Sequence, residues 1–211
     1  MKPTVVFLHG MARTHRSLAG LRLHVANAGY STWARTYPSR RMPLGELAAE
    51  VAGWIRRDVG GPVVAVTHSL GGILARHMND LVAWHSVVML APPNAGSRVA
   101  ARLLGHPLYR WFYGPAGQQL ARAGDWPQLR APVAVIAGTR GASLGNVPSW
   151  VTAALALLPR GEPSDGTVTV AETRLPEMAA FAEVDASHTW LMDHPQTRRL
   201  VLEFLATGRF L

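Results

Sequence analysis

A serine framed by a buried strand and a helix carries the sharpest chemical signal in this chain. The run Val63-Val64-Ala65-Val66-Thr67-His68-Ser69-Leu70-Gly71-Gly72-Ile73-Leu74-Ala75 reads as an apolar strand, a tight turn with Ser69 at its tip, and a helix. Such a turn strains the serine backbone and lifts Oγ above the sheet, so small residues must flank it. Gly71 and Gly72 meet that need on one side, while Thr67 stands two residues before the serine, where glycine is commoner. The helix behind the turn offers unpaired N–H groups to a developing anion. Alone, Ser-Leu-Gly-Gly is a turn before a helix; the flanking strand and helix make it a setting for a nucleophile.

A serine attacks poorly without a base, and the base needs an orienting acid. Where a strand–turn–helix presents the serine, the acid and then the histidine follow it along the chain. Of the nine histidines only His188 and His194 lie beyond the last expected strand. His188 follows Glu183-Val184-Asp185-Ala186-Ser187, in the loop past that strand's C-terminal end, and is the expected base. His194 precedes Pro195 and reads as the start of the closing helix. Asp165, in Pro163-Ser164-Asp165-Gly166-Thr167-Val168, lies between the strand at Val133–Ala137 and His188 and is the expected acid, with Glu162 as the alternative. Asp185 is too close to His188 and still on its strand, and Asp193 comes after the histidine.

The first strand ends in Val6-Phe7-Leu8-His9-Gly10-Met11. A strand ending in His-Gly can aim the next N–H at the nucleophile, so Met11 N–H and Leu70 N–H are the expected oxyanion donors. Each such donor stabilises a tetrahedral transition state by about 3–4 kcal/mol. His9 is expected to brace this loop. No metal site is expected, since no histidines stand at i, i+4 beside a glutamate and no His/Cys cluster exists.

These residues need a scaffold, and the chain alternates short apolar runs with stretches of helical period, the pattern of a parallel sheet with crossover helices. The expected strands are Thr4–Leu8, Tyr30–Tyr37, Val63–Thr67, Val87–Leu90, Val133–Ala137 and Ala180–Val184. Three of them are apolar without interruption, as strands buried on both faces are. Leu44–Val59 places Leu44, Leu47, Ala48, Val51, Trp54 and Ile55 on one helical face, and a last helix follows Pro195 and closes at Gly208. Two segments break the alternation: 92–131, rich in aromatics, and 138–165, rich in Gly, Pro and Ser around an apolar stretch at Val147–Leu158. Insertions of this length in a compact domain are usually functional or mobile.

At 211 residues the expectation is one domain spanning 1–211, with 97–130 as a candidate cap or lid. With no cysteine, disulfides and a thiol nucleophile are excluded. That, and an N-terminus reading Thr4-Val5-Val6-Phe7-Leu8 as a strand and not a signal peptide, lead us to expect a soluble, cytoplasmic protein. No stretch approaches the ~20 apolar residues of a membrane span. The formal charge of +8 does not point to nucleic acid, because 20 of the 21 basic residues are arginines scattered singly or in pairs, not interleaved with aromatics. The excess is uneven: residues 1–130 carry 15 basic and 5 acidic residues, 131–211 carry 6 and 8. A positive field of that kind would raise encounter with anionic substrates or an anionic lipid surface.

Taken together, His9-Gly10, His68-Ser69-Leu70-Gly71-Gly72, Asp165-Gly166-Thr167-Val168 and Ser187-His188 stand in the order found in the lipase and esterase branch of the α/β-hydrolase family, which the chain resembles from residue 4 to about 205. Ala91-Pro92-Pro93-Asn94-Ala95-Gly96-Ser97 is similar to the segment after the elbow's neighbouring strand in bacterial lipase-like members. The resemblance implies a minimal α/β-hydrolase fold with about six mostly parallel strands, helices on both faces and a short cap. It implies hydrolysis of a small-molecule or lipid carboxylic ester through an acyl-enzyme, without a cofactor. Met11, Ala12 and part of the aromatic insertion would line the acyl pocket, with His68 also at the substrate. The rival readings are a thioesterase, amidase or acyltransferase with the same triad, a membrane-surface phospholipid or lipid-anchor hydrolase, and a catalytically silent binding protein.

Overall fold

The first strand shows how the molecule is layered. In β1 (Thr4–Leu8), Val5, Val6, Phe7 and Leu8 are all fully buried. Side chains alternate across a strand, so Val5 and Phe7 point to one face and Val6 and Leu8 to the other. Each face has its own core, and each such burial contributes about 1.5–3 kcal/mol. On one, Val5 and Phe7 pack with Leu21 and Val25 of α1 (Ala19–Asn27) and Leu200, Val201 and Phe204 of α7 (Pro195–Thr207). On the other, Val6 and Leu8 pack with Leu47, Val51 and Ile55 of α2 (Leu44–Asp58) and Leu74 of α3 (Leu70–His77).

A computed structural model gives this architecture; it describes residues 2–121, 126–141, 158 and 161–211. Six parallel strands form one sheet in the order β2-β1-β3-β4-β5-β6, where β2 is Thr32–Ala34, β3 Val63–His68, β4 Trp84–Leu90, β5 Val133–Gly138 and β6 Ala180–Val184. The chain thus has the α/β-hydrolase fold in a six-stranded form. In register, Leu8 pairs with Thr67, His68 with Leu90 and Gly138 with Val184, so the C-terminal ends of these strands form one edge. In open parallel sheets that edge is where ligands bind.

The segment after β4 folds as α4 (Arg98–Leu103) and α5 (Pro107–Gln119). Gly114 interrupts α5 at φ 62°, ψ −164°, ahead of Pro115, and a Cβ there would lie 1.8 Å from the Arg40 carbonyl oxygen. Only glycine allows that conformation and that approach. Tyr109, Ala116 and Leu120 close a third, smaller core against Leu44, Leu70 and Ile73. Buried Arg76 of α3 anchors the segment, donating to the carbonyls of Asn94 (3.1 Å), Trp126 (3.0 Å) and Pro127 (2.9 Å). Buried Glu172, in α6 (Val170–Thr173), caps it from the other side, accepting from Arg98 N–H at 2.6 Å and Thr169 N–H at 2.7 Å. The stretch Val147–Leu158, Leu158 aside, lies outside the described residues. No helix among the described residues is long and apolar enough to cross a membrane.

Candidate active site

Ser69 stands between the last residue of β3 and the first of α3, at φ 53° and ψ −121°. A positive φ is strained for any residue with a Cβ, and such strain collects at functional sites. The turn is fixed by Ser69 N–H donating to the Leu90 carbonyl at 2.8 Å and Gly72 N–H to the Ser69 carbonyl at 2.9 Å. Its flanks are tight. A Cβ on Gly71 would lie 2.4 Å from the carbonyl oxygen of Leu8, a collision with backbone that cannot move aside. Thr67 fits where glycine is commoner because its hydroxyl finds a partner, donating to the Val88 carbonyl at 3.3 Å.

His188 lies in the loop after β6, buried, with Nδ1 2.6 Å from Asp165 Oδ2. A carboxylate only accepts, so Nδ1 carries a proton, which in a neutral imidazole leaves Nε2 as the acceptor. Asp165 is fully buried, and its other oxygen accepts from the N–H groups of Thr167 (2.9 Å) and Val168 (2.8 Å). The two loops are also joined by His188 N–H, which donates to the Asp165 carbonyl at 3.0 Å. Glu162 is instead exposed and paired with Arg98 at 2.9 Å. Asp185 is paired with Arg140 at 2.6 Å, and His194 caps α7 by accepting from Gln196 N–H.

Ser69 and His188 line one cavity of about 130 Å³. Its walls are largely apolar: Met11, Val99, Leu103, Tyr109, Leu120 and Val168. Leu70 opens α3, where a first-turn N–H has no intrahelical partner. Met11 follows Gly10 in the turn beyond β1.

His9 holds that turn. Its Nδ1 donates to the Gly10 carbonyl at 2.9 Å, its Nε2 accepts from Tyr37 N–H at 3.2 Å, and the Tyr37 hydroxyl donates to the His9 carbonyl. The two rings stack 3.8 Å apart. Burial pushes the His9 imidazole down to about 4, so it is neutral near pH 7. His68 is likewise pushed well below the ordinary histidine range, first by burial and then by the neighbouring His188.

Ala12 lines a neighbouring cavity, with its N–H donating to Ser39 Oγ at 3.0 Å and its φ at 54°. His68 does line the Ser69 cavity, yet it is fully buried and its Nε2 donates to the His188 carbonyl at 3.0 Å. The aromatics of α5 divide: Tyr109 and Tyr113 reach the cavity, whereas Trp111 and Phe112 are exposed. Sequence reasoning missed Arg13, which lines the cavity and donates to Thr189 Oγ1 at 3.0 Å. Its partner is 176 residues away, and its only sequence signal was standing two residues past Met11. Among the described residues no group of three or more His, Cys, Asp or Glu could hold a metal ion.

No family model matches this sequence, and none of the curated proteins does. Solved structures do match in shape. The mature lipase BlEst2 of Bacillus licheniformis superposes with a TM-score of 0.77 at 20% identity, over 97% of this chain and 92% of that one. Phospholipase PlaB of Legionella pneumophila gives 0.70 at 19% identity, over 99% of this chain and 60% of its own. The type II thioesterase BorB of the borrelidin cluster gives 0.57 at 17%, over 97% and 91%. At these identities the likeness is one of fold, that of the α/β-hydrolases, which hosts ester and thioester hydrolysis alike.

Proposed function

We propose that this chain hydrolyses carboxylic esters through an acyl-enzyme on Ser69. The observation that carries the reading is the buried Asp165–His188 pair, 2.6 Å apart, whose histidine lines the same cavity as the strained Ser69. His188 Nε2 takes the Ser69 proton as Oγ bonds to the ester carbonyl carbon. The carbonyl oxygen gains the charge and is met by the N–H groups of Met11 and Leu70. Protonated His188, steadied by Asp165, gives the proton to the alkoxide as the carbon–oxygen bond breaks and the alcohol leaves. Water then repeats the sequence: His188 takes its proton, hydroxide attacks the acyl carbon, and Ser69 Oγ recovers the proton as the acid departs. The apolar wall of Leu103 from α4, Tyr109 from α5 and Leu120 just past it suits the acyl chain.

Hydrolysis of p-nitrophenyl esters from acetate to palmitate, with Ser69→Ala as control, tests this. Turnover that the substitution abolishes is the expected result, and its chain-length optimum separates esterase from lipase. Absence of turnover, or turnover that survives the substitution, contradicts it.

A further inference from the structure

The cavity at Ser69 has a neighbour of opposite character. The second cavity, about 430 Å³, is lined by Arg13, Arg40 and Arg41, together with Ser39 and Trp111, and among the described residues no acidic one lines it. Arg13 lines both cavities, so the two adjoin there. None of the three guanidinium groups is in an ion pair among the described residues. The acid that acts electrostatically on Arg13, Asp193, is itself paired with Arg198 at 2.9 Å. Arg40 is held with its guanidinium over the Phe112 ring at 4.4 Å, and its Nε is buried with no hydrogen-bond partner. Ser39 Oγ accepts from Ala12 N–H, which leaves its hydroxyl hydrogen to donate. Three like charges around one hollow repel one another, and an anion entering it would relieve that repulsion. Guanidinium forks match the oxygens of phosphate and carboxylate.

The position of Arg13 fixes which part of a substrate this hollow faces. Arg13 Nη2 donates to Thr189 Oγ1 at 3.0 Å, and Thr189 follows His188, the residue that protonates the leaving alcohol in the proposed mechanism. We propose that this cavity is a subsite for an anionic group, phosphate or carboxylate, borne on the alcohol portion of the ester, gripped by Arg13, Arg40 and Arg41. The inference rests on the reading of Ser69 as nucleophile. The apolar cavity takes the acyl chain and the basic one takes the head, so the substrate class is an ester whose released alcohol is an anion.

The test compares butyryl esters of glycerol, of glycerol 3-phosphate and of glycolate, followed by acid release in a pH-stat. Wild type should favour an anionic ester over the neutral one by tenfold or more in kcat/KM at low salt, and the preference should shrink as salt rises. Which of the two anionic esters leads distinguishes a phosphate head from a carboxylate one. Arg40→Ala/Arg41→Ala should cut that preference about tenfold, in the range of one charge-assisted hydrogen bond. Arg41→Glu, at an exposed residue that tolerates change, should cut it as well. Equal kcat/KM for neutral and anionic esters, or a preference unmoved in both variants, overturns the subsite. Titration calorimetry with inorganic phosphate reads the cavity without turnover: wild type should bind and the double variant should not. If no ester is turned over, the Ser69 reading fails, and phosphate binding then decides whether the cavity takes anions. Phosphate binding with equal turnover of all three esters would assign the cavity to a free anion and overturn the head-group claim.

Discussion

His68 bridges the strand of the nucleophile and the loop of the base: its Nε2 donates to the main-chain carbonyl of His188 at 3.0 Å, with the two rings 4.7 Å apart. Burial and the nearby His188 keep it neutral, so it acts through position and not through charge. His68→Phe leaves the buried His188 carbonyl without a donor and frees the base to shift. A displacement of about 1 Å can cost on the order of 100-fold in rate. The expected result is kcat lowered by roughly 10- to 100-fold with KM nearly unchanged, and partial recovery in His68→Gln, which can donate again. An equal loss in both variants would make the residue merely a space filler.

Asp165→Asn tests the orientation of the base. The substituted amide must turn its NH2 either towards His188 Nδ1 or towards the N–H groups of Thr167 and Val168, which already donate there. Facing His188, it stabilises the tautomer with the proton on Nε2, which cannot accept from serine. A fall in kcat of about 10⁴ is expected, as for the equivalent change in serine proteases. Glu162→Gln, at an exposed carboxylate paired with Arg98, should change kcat less than about twofold, as a surface substitution away from the site.

Much of this was legible in the sequence, and the departures have local causes. β1 and β6 run over the expected residues because uninterrupted or cleanly bounded apolar runs leave no choice of register. β2 is shorter than Tyr30–Tyr37, only Thr32–Ala34, because it is an edge strand pairing with β1 alone and because Tyr37 is claimed by His9. β4 starts earlier than expected, at Trp84, whose indole is buried and donates to the Ala75 carbonyl at 3.2 Å despite the polar His85 and Ser86 that follow. For the candidate site, Ser69, Asp165 and His188 each sit beside a local turn signal, and the structure sets Asp165 against His188 and lines one cavity with His188 and Ser69. The placements of Arg13 and Ala12 depend on contacts with Thr189 and Ser39, which no local pattern encodes.

Gly71→Ala should fail at the elbow. Its Cβ would meet the Leu8 carbonyl oxygen at 2.4 Å, so α3 or β1 must shift. Overpacking of this kind costs about 1–3 kcal/mol, which is several degrees in Tm for a chain of this size. Thermal unfolding should show that loss, together with a fall in kcat as Ser69 moves.

Acid should weaken the fold through its buried histidines. His9 ionises at about 4 in the folded chain against 6.5 unfolded, so between these values the unfolded state binds more protons. Stability contributed by neutral His9 is therefore complete above pH 6.5 and is lost as pH falls towards about 4, by roughly 3 kcal/mol. His68 and His77, lowered in the same direction by burial, steepen the fall. Urea midpoints measured from pH 7.5 to 4.5 should drop through this window, and a flat profile would contradict the assignment.

The central claim is that Ser69 becomes covalently acylated, and trapping it is the most direct test. The full chain is incubated with a fluorophosphonate ester, digested, and mapped by mass spectrometry. The account predicts one adduct, on the peptide carrying Ser69, absent after Ser69→Ala and strongly slowed after His188→Ala. An adduct on another residue, or none while the protein remains folded, would contradict it.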